Sequence, residues 1–274
     1  MNKSFNSSPA EPTRQELFMR QHLRHHRQIS ILRLLLLVLF LILWEVSSRT
    51  GAIDSFFFSS PSKVASLLIK MCRDYSIFSH LGITLFEILI SFLLVFLISL
   101  ITATLLWYSS KLSEILEPYL VMLNSLPKSA MAPLFIVWLG TGTKTIIVAG
   151  ISVAVFGSVI SFYTAFRQCD PEKITLIYTL GGSRKDVFCK VVLPSSVPLL
   201  LSTMKVNIGL ALVGVIIGEF LAARRGLGYL IIYGSQVFQL NLVILNVLIL
   251  CGIAMGFYQG IQMIEHHIRK KMQL

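Results

Sequence analysis

The sequence predicts an all-α protein that crosses a membrane several times. Hydrophobic residues make up 55% of the 274 residues and charged residues only 14%, and the mean hydropathy is +0.76. A soluble globular chain carries about 25% charged residues, so most of this surface does not face water. The apolar residues also fall into runs of about twenty, the length at which a helix spans a bilayer core. We therefore predict one membrane domain, a polytopic bundle of about six transmembrane helices.

The membrane domain is predicted over residues 29–266, between a basic N-terminal tail (1–28) and a basic C-terminal tail (267–274). Its candidate spans are 30–48, 82–107, 115–137, 145–166, 198–220 and 240–263. In the connector after the first span, Pro61 predicts the start of a short amphipathic helix. The third span contains Pro127 and Pro133. We expect it to be broken, because proline removes a backbone donor and clashes with the preceding turn.

Basic residues are distributed unevenly over the connectors. If the N-terminus is inside, the inside segments carry about twice as many Lys and Arg residues as the outside segments. The positive-inside rule therefore predicts that both termini are cytoplasmic in the cell membrane. The net charge of +11 then reflects orientation in the lipid bilayer, and no nucleic-acid partner is expected.

Small residues recur four positions apart in three of the spans. These stripes let helix backbones approach closely in lipid, where no hydrophobic force drives helices together. They predict that the spans pack as a bundle, without saying which helices meet. The stripes are Gly150, Ala154 and Ser158; Gly214 and Gly218; and Gly252, Gly256 and Gly260.

The connector at residues 167–197 is predicted to form two short amphipathic helices. Asp170 followed by Pro171 is typical of a helix start, with an N-cap and a first helical proline. Gly181 and Gly182 predict the end of this helix, because glycine adopts the left-handed C-cap conformation without steric cost. The two helices are thus joined by a glycine elbow.

Ser183 is predicted to begin the second helix, with Asp186 in the capping-box position three residues later. Pro194 is expected to end that helix before the fifth span. An apolar stripe and a set of basic residues lie apart on it: Val187, Phe188, Val191 and Val192, against Arg184, Lys185 and Lys190. Such a pair of helices is either an ordinary interfacial loop or a docking element for a cytoplasmic partner.

This connector resembles the cytoplasmic signature of permease subunits from binding-protein-dependent ABC importers. The signature reads Glu-Ala-Ala, three residues, Gly, nine residues, Ile, one residue, Leu-Pro. Gly181, Val191, Leu193 and Pro194 stand at these spacings. The chain departs from the signature at its start, where Thr175-Leu176-Ile177 replace Glu-Ala-Ala.

The resemblance extends over most of the chain from Trp44 and is strongest to the nitrate/sulfonate/taurine-type branch of this family. Each landmark is short, and it is their order along the chain that resembles the family. They are Trp44-Glu45, Pro61-Ser62, Pro118, Leu126-Pro127, Ala130, Pro133-Leu134, Trp138-Leu139-Gly140, Gly218-Glu219-Phe220-Leu221 and Gly226-Leu227-Gly228-Tyr229-Leu230.

The resemblance implies a type I importer bundle that pairs with a second permease subunit, most simply an identical one. A separate cytoplasmic ATPase would carry ATP and Mg²⁺, so this chain would need no cofactor or metal and would not be an enzyme. An extracytoplasmic solute-binding protein would deliver a small solute. The branch implies either an anion, such as a nitrate, sulfonate or taurine-like compound, or another small nutrient. The ATPase-coupling loop would comprise Gly181, Gly182, Ser183, Arg184, Lys185, Asp186, Phe188, Val191, Leu193 and Pro194.

Three charged residues are candidates for the translocation pathway. Lys128 lies between two prolines, where a broken helix could line a cavity and attract an anion; otherwise it is a helix-end lysine that reaches water. Glu87 lies inside a span, where a carboxylate is costly, and either takes part in proton coupling or is a hydrogen-bonded structural residue. Glu219 lies near Arg224 and Arg225, which suggests a salt bridge at the outer mouth or a contact with the binding protein.

Two other interpretations are weaker. Residues 140–145 resemble a phosphate-binding loop, but Thr143 stands where the motif requires glycine before the lysine. An ion-gradient-driven secondary transporter is the alternative function. It would require paired intramembrane acids or internal repeats, with Glu87 and Glu45 as the candidate acids.

Overall fold

The computed structural model describes the backbone of residues 14–272, and every regular element in this part of the chain is helical. The rest of the predicted tails, 1–13 and 273–274, lies outside the described residues. The elements are α1 (Arg14–Arg49), α2 (Ser55–Phe58), α3 (Pro61–Arg73), α4 (Ser76–Tyr108), α5 (Ser110–Ser125), α6 (Lys128–Leu139), α7 (Thr143–Arg167), α8 (Pro171–Thr179), α9 (Arg184–Val187), a π-helical turn (Phe188–Val192), α10 (Leu193–Ala222), α11 (Leu227–Gln236) and α12 (Leu240–Met272).

Five of the described helices are long and apolar enough to cross a membrane, and there are six such spans if the bent pair α5 and α6 is counted as one broken span. The two halves of that span meet at an angle of 96°. Leu126, at the break, has φ −63° and ψ 140°, the extended conformation that a following proline favours. The all-α, polytopic fold and the predicted break in the third span are therefore confirmed, and the structure places the break at Leu126-Pro127. Pro118 and Pro133 lie inside α5 and α6 without ending them.

Helix α7 packs against both α4 and α10, and small residues bring α7 and α10 together. A Cβ atom added to Gly214 of α10 would lie 2.8 Å from the Cα atom of Gly150 in α7. One at Gly218 would lie 2.9 Å from the Cα atom of Ile146. Two of the three predicted stripes thus form one contact. The third stripe consists of Gly252, Gly256 and Gly260. A Cβ atom added to any of these glycines would have no described atom of another helix within 4 Å, so this stripe makes no close helix contact in the described chain.

The chain divides into two compact units, with the boundary after Lys63. In the first unit, α1 is continuous from Arg14, so the later part of the predicted tail belongs to the same helix as the first span. The indole N–H of Trp44 donates to the Phe58 carbonyl at 3.1 Å. Glu45 accepts hydrogen bonds from the backbone N–H and the hydroxyl of Ser62, at 3.1 and 2.9 Å. These bonds hold the α1–α3 connector against the end of α1.

Pro194 does not end a helix, which corrects the prediction. The chain stays helical from Arg184 to Ala222, through α9, the π-helical turn and α10. Pro194 occupies the first turn of α10, directly after the π-helical turn. A π-helical turn shifts the hydrogen-bond pattern by one residue, so a proline at the next helical start interrupts nothing.

Candidate functional site

The elbow between α8 and α9 is a Schellman C-cap. The N–H of Gly182 donates to the Ile177 carbonyl at 2.9 Å, and the N–H of Gly181 donates to the Tyr178 carbonyl at 3.0 Å. Gly181 has φ +80°, in the left-handed region where β-branched residues are strongly disfavoured. The positive φ predicted for Gly181 is confirmed.

Both helices of the connector have the predicted N-caps. The Asp170 carboxylate accepts the Glu172 N–H at 2.9 Å at the start of α8. At the start of α9, the Asp186 N–H donates to the Ser183 hydroxyl at 3.3 Å, and the Ser183 N–H donates to the Asp186 carboxylate at 3.0 Å. This is a complete capping box. Lys190 adds an ion pair to Asp186 at 2.8 Å.

Phe188 anchors the connector to the end of the bundle. Its ring centroid lies 5.1 Å from that of Trp107, 5.6 Å from that of Tyr108 and 5.4 Å from that of Phe166. Phe188 is buried with Val187 and Val192, and the partly buried Val191 and Leu193 pack against the same cluster. The predicted apolar stripe therefore faces α4 and α7 of its own chain and is not a free surface for a partner.

Arg184 adds a second attachment at the same place. Its guanidinium lies 5.4 Å from the centre of the Trp107 ring and 5.7 Å from that of Tyr108. Its Nη2 also donates to the Trp107 carbonyl at 3.2 Å. Arg184 is thus positioned by α4, while Lys185 stays exposed. The predicted loop residues therefore have different roles in the structure. Gly181 and Gly182 form the elbow, Arg184 and Phe188 attach it to α4, and Lys185 is exposed.

The structure also exposes apolar residues that the sequence analysis did not select. Leu176 is 57% exposed and Leu180 is 74% exposed, next to the elbow. Ile174 and Ile177 pack instead against the cluster around Phe188. The sequence contained a signal for this exposed pair, because Leu176 and Leu180 are four residues apart and therefore lie on the same side of a helix. These two leucines therefore present an exposed apolar surface beside the elbow, and Tyr178 between them is also exposed.

A buried polar cluster lies near the N-terminal end of α4, at the opposite end of this helix from the connector. The Thr84 hydroxyl donates to Oε1 of Glu219 at 2.6 Å, and the Gly228 N–H donates to Oε2 at 2.5 Å. The Thr84 hydroxyl oxygen in turn accepts the Leu227 N–H at 2.8 Å. One step earlier in the chain, the Gly226 N–H donates to Nδ1 of His80 at 3.0 Å. Side chains of α4 and α10 thus bind the free backbone N–H groups at the start of α11.

Glu219 forms no ion pair with Arg224 or Arg225 within the described residues, which corrects the salt-bridge interpretation. Its side chain is 1% exposed and points toward Thr84, whereas both arginines are exposed. The physical reason is that the first N–H groups of α11 have no acceptor within their own helix. A Glu219 side chain that pointed outward could not accept a hydrogen bond from them.

Glu87 lies about one turn beyond Thr84 on α4 and is fully buried. Within the described part of the chain, neither carboxyl oxygen of Glu87 has a hydrogen bond of good geometry, although the side chains of Glu219 and Thr143 are close enough to interact with it. A cavity of about 500 Å³ lies beside this part of α4, with Thr141, Thr143, Arg224 and Arg225 in its lining. Both carboxyl oxygens of Glu87 are shielded from solvent.

Lys128 bridges the break between α5 and α6. Its Nζ donates to the Leu123 carbonyl and lies 5.1 Å from the centre of the Phe156 ring in α7. The structure therefore places Lys128 apart from Glu87 and Glu219 and gives its ammonium group partners within the chain. A role for Lys128 in the pathway remains a hypothesis.

Known proteins resemble this chain over most of its length. The profile of the family described as "Binding-protein-dependent transport system inner membrane component" matches residues 95–270. A probable ABC transporter permease protein of Haemophilus influenzae is 31% identical over 240 residues, which cover 87% of this chain and 97% of that protein. The formylaminopyrimidine transport permease protein ThiX of Halalkalibacterium halodurans is 25% identical, covering 71% of this chain and 77% of its own.

A putative aliphatic sulfonates transport permease protein of Bacillus subtilis is 24% identical over 237 residues, 86% of either chain. Further relatives are named for the transport of taurine and of riboflavin. Among solved structures, a chain of the MetNI methionine ABC transporter in an inward-facing conformation aligns with a TM-score of 0.63 at 18% identity. The alignment covers 71% of this chain and 96% of that one, which shows the type I importer permease fold. The chain therefore belongs to the binding-protein-dependent transport system inner membrane components, the permease subunits of ABC importers.

Proposed function

We propose that this permease subunit is coupled to a separate cytoplasmic ATPase through its 167–197 connector. The observation that carries the proposal is the attachment of a capped glycine elbow to the end of α4 by Phe188 and Arg184. Leu176 and Leu180 remain exposed beside that elbow. An exposed apolar patch on an otherwise anchored loop marks a surface for a protein partner.

Rigidity is what such a coupling element needs. Two short helices on a flexible loop would absorb a movement of the partner without transmitting it. Here the Schellman motif, the capping box and the aromatic contacts of Phe188 leave the connector few ways to deform. A displacement at Leu180 would therefore be passed to the end of α4 and to α7, the helices that hold Phe188.

ATP and Mg²⁺ are proposed to bind to the partner ATPase, and this chain is proposed to supply the pathway. Residues 140–145 lack the glycine that a phosphate-binding loop needs before its lysine, which supports this division. The remaining assembly is proposed from the family: a second permease subunit, most simply an identical chain, and an extracytoplasmic binding protein. Both termini are proposed to be cytoplasmic, on the basis of the excess of basic residues.

The solute is proposed to be a small compound with an anionic group. The named relatives include an aliphatic sulfonates permease and a taurine permease, which supports this class. Relatives named for formylaminopyrimidine and riboflavin show that the family takes other solutes as well. The pathway candidates are Lys128, Glu87 and Glu219.

Reconstitution in proteoliposomes tests the proposed function. The permease would be combined with its ATPase and its binding protein, and solute uptake would be measured with ATP and with a non-hydrolysable analogue. Uptake that requires both ATP hydrolysis and the binding protein is expected. Uptake driven by a proton or sodium gradient without ATP would instead support a secondary transporter.

A further inference from the structure

A polar cavity lies between α5 and the coupling connector, and no step of the coupling proposal uses it. Its volume of about 430 Å³ falls within the range of small-molecule sites. The lining comes from the ends of α4 and α7 and from α5, α8 and α9. The cavity therefore lies at the opposite end of α4 from the buried cluster around Glu219.

The acidic part of the lining is one face of α5. Spacings of three and four residues place four polar side chains on this face: Ser110, Ser113, Glu114 and Glu117. Both glutamates are exposed, and neither forms an ion pair within the described residues. Two carboxylates on the cavity wall are thus accessible to a cation.

The basic part of the lining comes from two other helices. Arg167 is the last residue of α7, and Arg184 is the first residue of α9. Arg184 donates one hydrogen bond, to the Trp107 carbonyl, and a guanidinium group has five N–H donors. Neither arginine forms an ion pair among the described residues, although two acids line the same cavity. Both guanidinium groups can therefore bind an anion.

The charges of this lining suit a ligand that carries both signs. Two carboxylates and two guanidinium groups sum to zero, so an anion or a cation alone would leave one pair without a partner. Two of the three aromatic rings in the lining already carry an arginine, Trp107 below Arg184 at 5.4 Å and Tyr163 below Arg167 at 5.8 Å. A ligand cation would therefore meet the carboxylates, which favours a primary ammonium group with its three N–H donors.

The position of the cavity indicates where such a ligand comes from. Helix α4 is a candidate membrane span, and Trp107 and Tyr108 at its end are the residue types that concentrate at a membrane–water interface. Shortly before them, α4 exposes the apolar side chains of Ile101 and Leu105, on which acyl chains can lie. Phospholipid head groups occupy this depth, and arginine binds phosphate with paired N–H donors.

We propose that this cavity binds the phosphoethanolamine head group of a phospholipid, with the phosphate at Arg167 and Arg184 and the ammonium group at Glu114 and Glu117. The proposal goes beyond the proposed function, because it assigns a lipid site and not a transported solute. A bound head group would bridge α5 to α7 and α9, and so brace the connector. Soluble glycerophosphoethanolamine carries the same groups, and the interfacial depth favours the lipid.

Four probes test the proposal on the detergent-purified permease–ATPase complex, with binding measured by native mass spectrometry. Three are phospholipids with identical acyl chains. Phosphatidylethanolamine carries both groups, phosphatidylglycerol lacks the amine, and phosphatidylcholine has an ammonium group without N–H donors. Phosphatidylethanolamine should bind about tenfold more tightly than either of the others. Glycerophosphoethanolamine is the fourth probe, and it should displace the lipid only at much higher concentration, since it lacks the acyl chains.

Two sets of variants separate the charges of the lining. The double substitution Glu114→Gln and Glu117→Gln should lower the affinity for phosphatidylethanolamine to that for phosphatidylglycerol. Arg167→Gln should weaken both lipids alike. Glu172→Gln and Lys111→Gln change exposed charges outside the lining and should bind all probes as the wild type does. Unchanged thermal midpoints show that the variants are folded.

Three results would overturn the proposal. Equal affinities of the wild type for the three lipids would show that the cavity does not select the head group. A preference for phosphatidylethanolamine that survives the double glutamine substitution would remove the acids from the site. Displacement by glycerophosphoethanolamine at equal concentration would assign the cavity to a soluble compound. None of these results affects ATP-driven uptake, and failure of the proposed function would abolish that uptake without changing lipid preference.

Discussion

The hydroxyl of Thr84 in α4 donates a 2.6 Å hydrogen bond to Glu219 in α10, and both side chains are buried. The same hydroxyl oxygen accepts the N–H of Leu227, the first residue of α11. One side chain thus joins three helices through two hydrogen bonds. Because lipid and apolar side chains offer no other partners, each of these bonds is costly to remove.

We expect Thr84→Val to destabilise the protein by about 1–3 kcal/mol, because it removes the hydrogen bond to Oε1 of Glu219 and leaves the Leu227 N–H without a partner. The measurement is the thermal unfolding midpoint of the purified permease in detergent. Thr104→Val is the control on the same helix, since the Thr104 hydroxyl bonds only the Leu100 carbonyl of its own helix. Equal midpoints for the two variants would contradict the role given to Thr84.

Gly181→Val is expected to disrupt coupling without disturbing membrane insertion. At φ +80° a β-branched residue costs about 1–3 kcal/mol of local strain, so the elbow must reshape. The variant should insert normally, fail to retain the ATPase and lose import, as measured by co-purification at matched expression and by uptake. Gly181→Asn is the control, because asparagine tolerates the left-handed conformation. Full retention and full uptake by the valine variant would show that the loop is an ordinary connector.

Leu176 and Phe188 should affect coupling in different ways. Leu176→Ala removes an exposed side chain, so ATPase retention should fall while the thermal midpoint stays unchanged. Phe188→Ala removes a buried ring that contacts Trp107, Tyr108 and Phe166, so both retention and the midpoint should fall. The loss for Phe188→Ala should be about 3 kcal/mol, as for other buried aromatic truncations. The prediction fails if Leu176→Ala keeps its ATPase.

Lys128→Gln tests whether this lysine serves the pathway or the bend. If Lys128 attracts an anionic solute, uptake should decrease while assembly with the ATPase and the thermal midpoint are unchanged. If it only ties α5 to α6 through the Leu123 carbonyl, the free energy of unfolding should decrease by about 1.5–3 kcal/mol, the value of a hydrogen bond that involves a charged group, and the midpoint should fall with it. Uptake kinetics and unfolding are measured on the same preparation, and normal uptake removes Lys128 from the pathway.

Features that depend on neighbouring residues could be predicted from the sequence. The length of the apolar runs predicted the spans, and Pro127 and Pro133 predicted a break in the third span, because proline removes a backbone donor and clashes with the preceding turn. The caps at Asp170 and Ser183 and the left-handed Gly181 were predictable for the same reason. Each of them forms hydrogen bonds within five residues along the chain.

Features that depend on distant residues could not be predicted in this way. The apolar stripe around Phe188 was recognisable, but its contact with Trp107 joins residues 81 positions apart in the sequence. Glu219 was expected to pair with nearby arginines, and instead it bonds Thr84, 135 positions away. Pro194 was expected to end a helix. Instead it lies in the first turn of α10, directly after a π-helical turn, and the chain stays helical through it.

The sequence by itself therefore determined that the chain is a helical membrane protein with a capped glycine elbow, since local sterics and hydrophobic length decide those properties. Only the tertiary structure decided which polar groups are paired in the bundle. A carboxylate in an apolar bundle bonds whichever donors the helix packing brings within reach, and that geometry is set by the close contact of α7 with α10 and α4. The packing gave Glu219 two donors, and it left both carboxyl oxygens of Glu87 buried without a hydrogen bond of good geometry among the described residues.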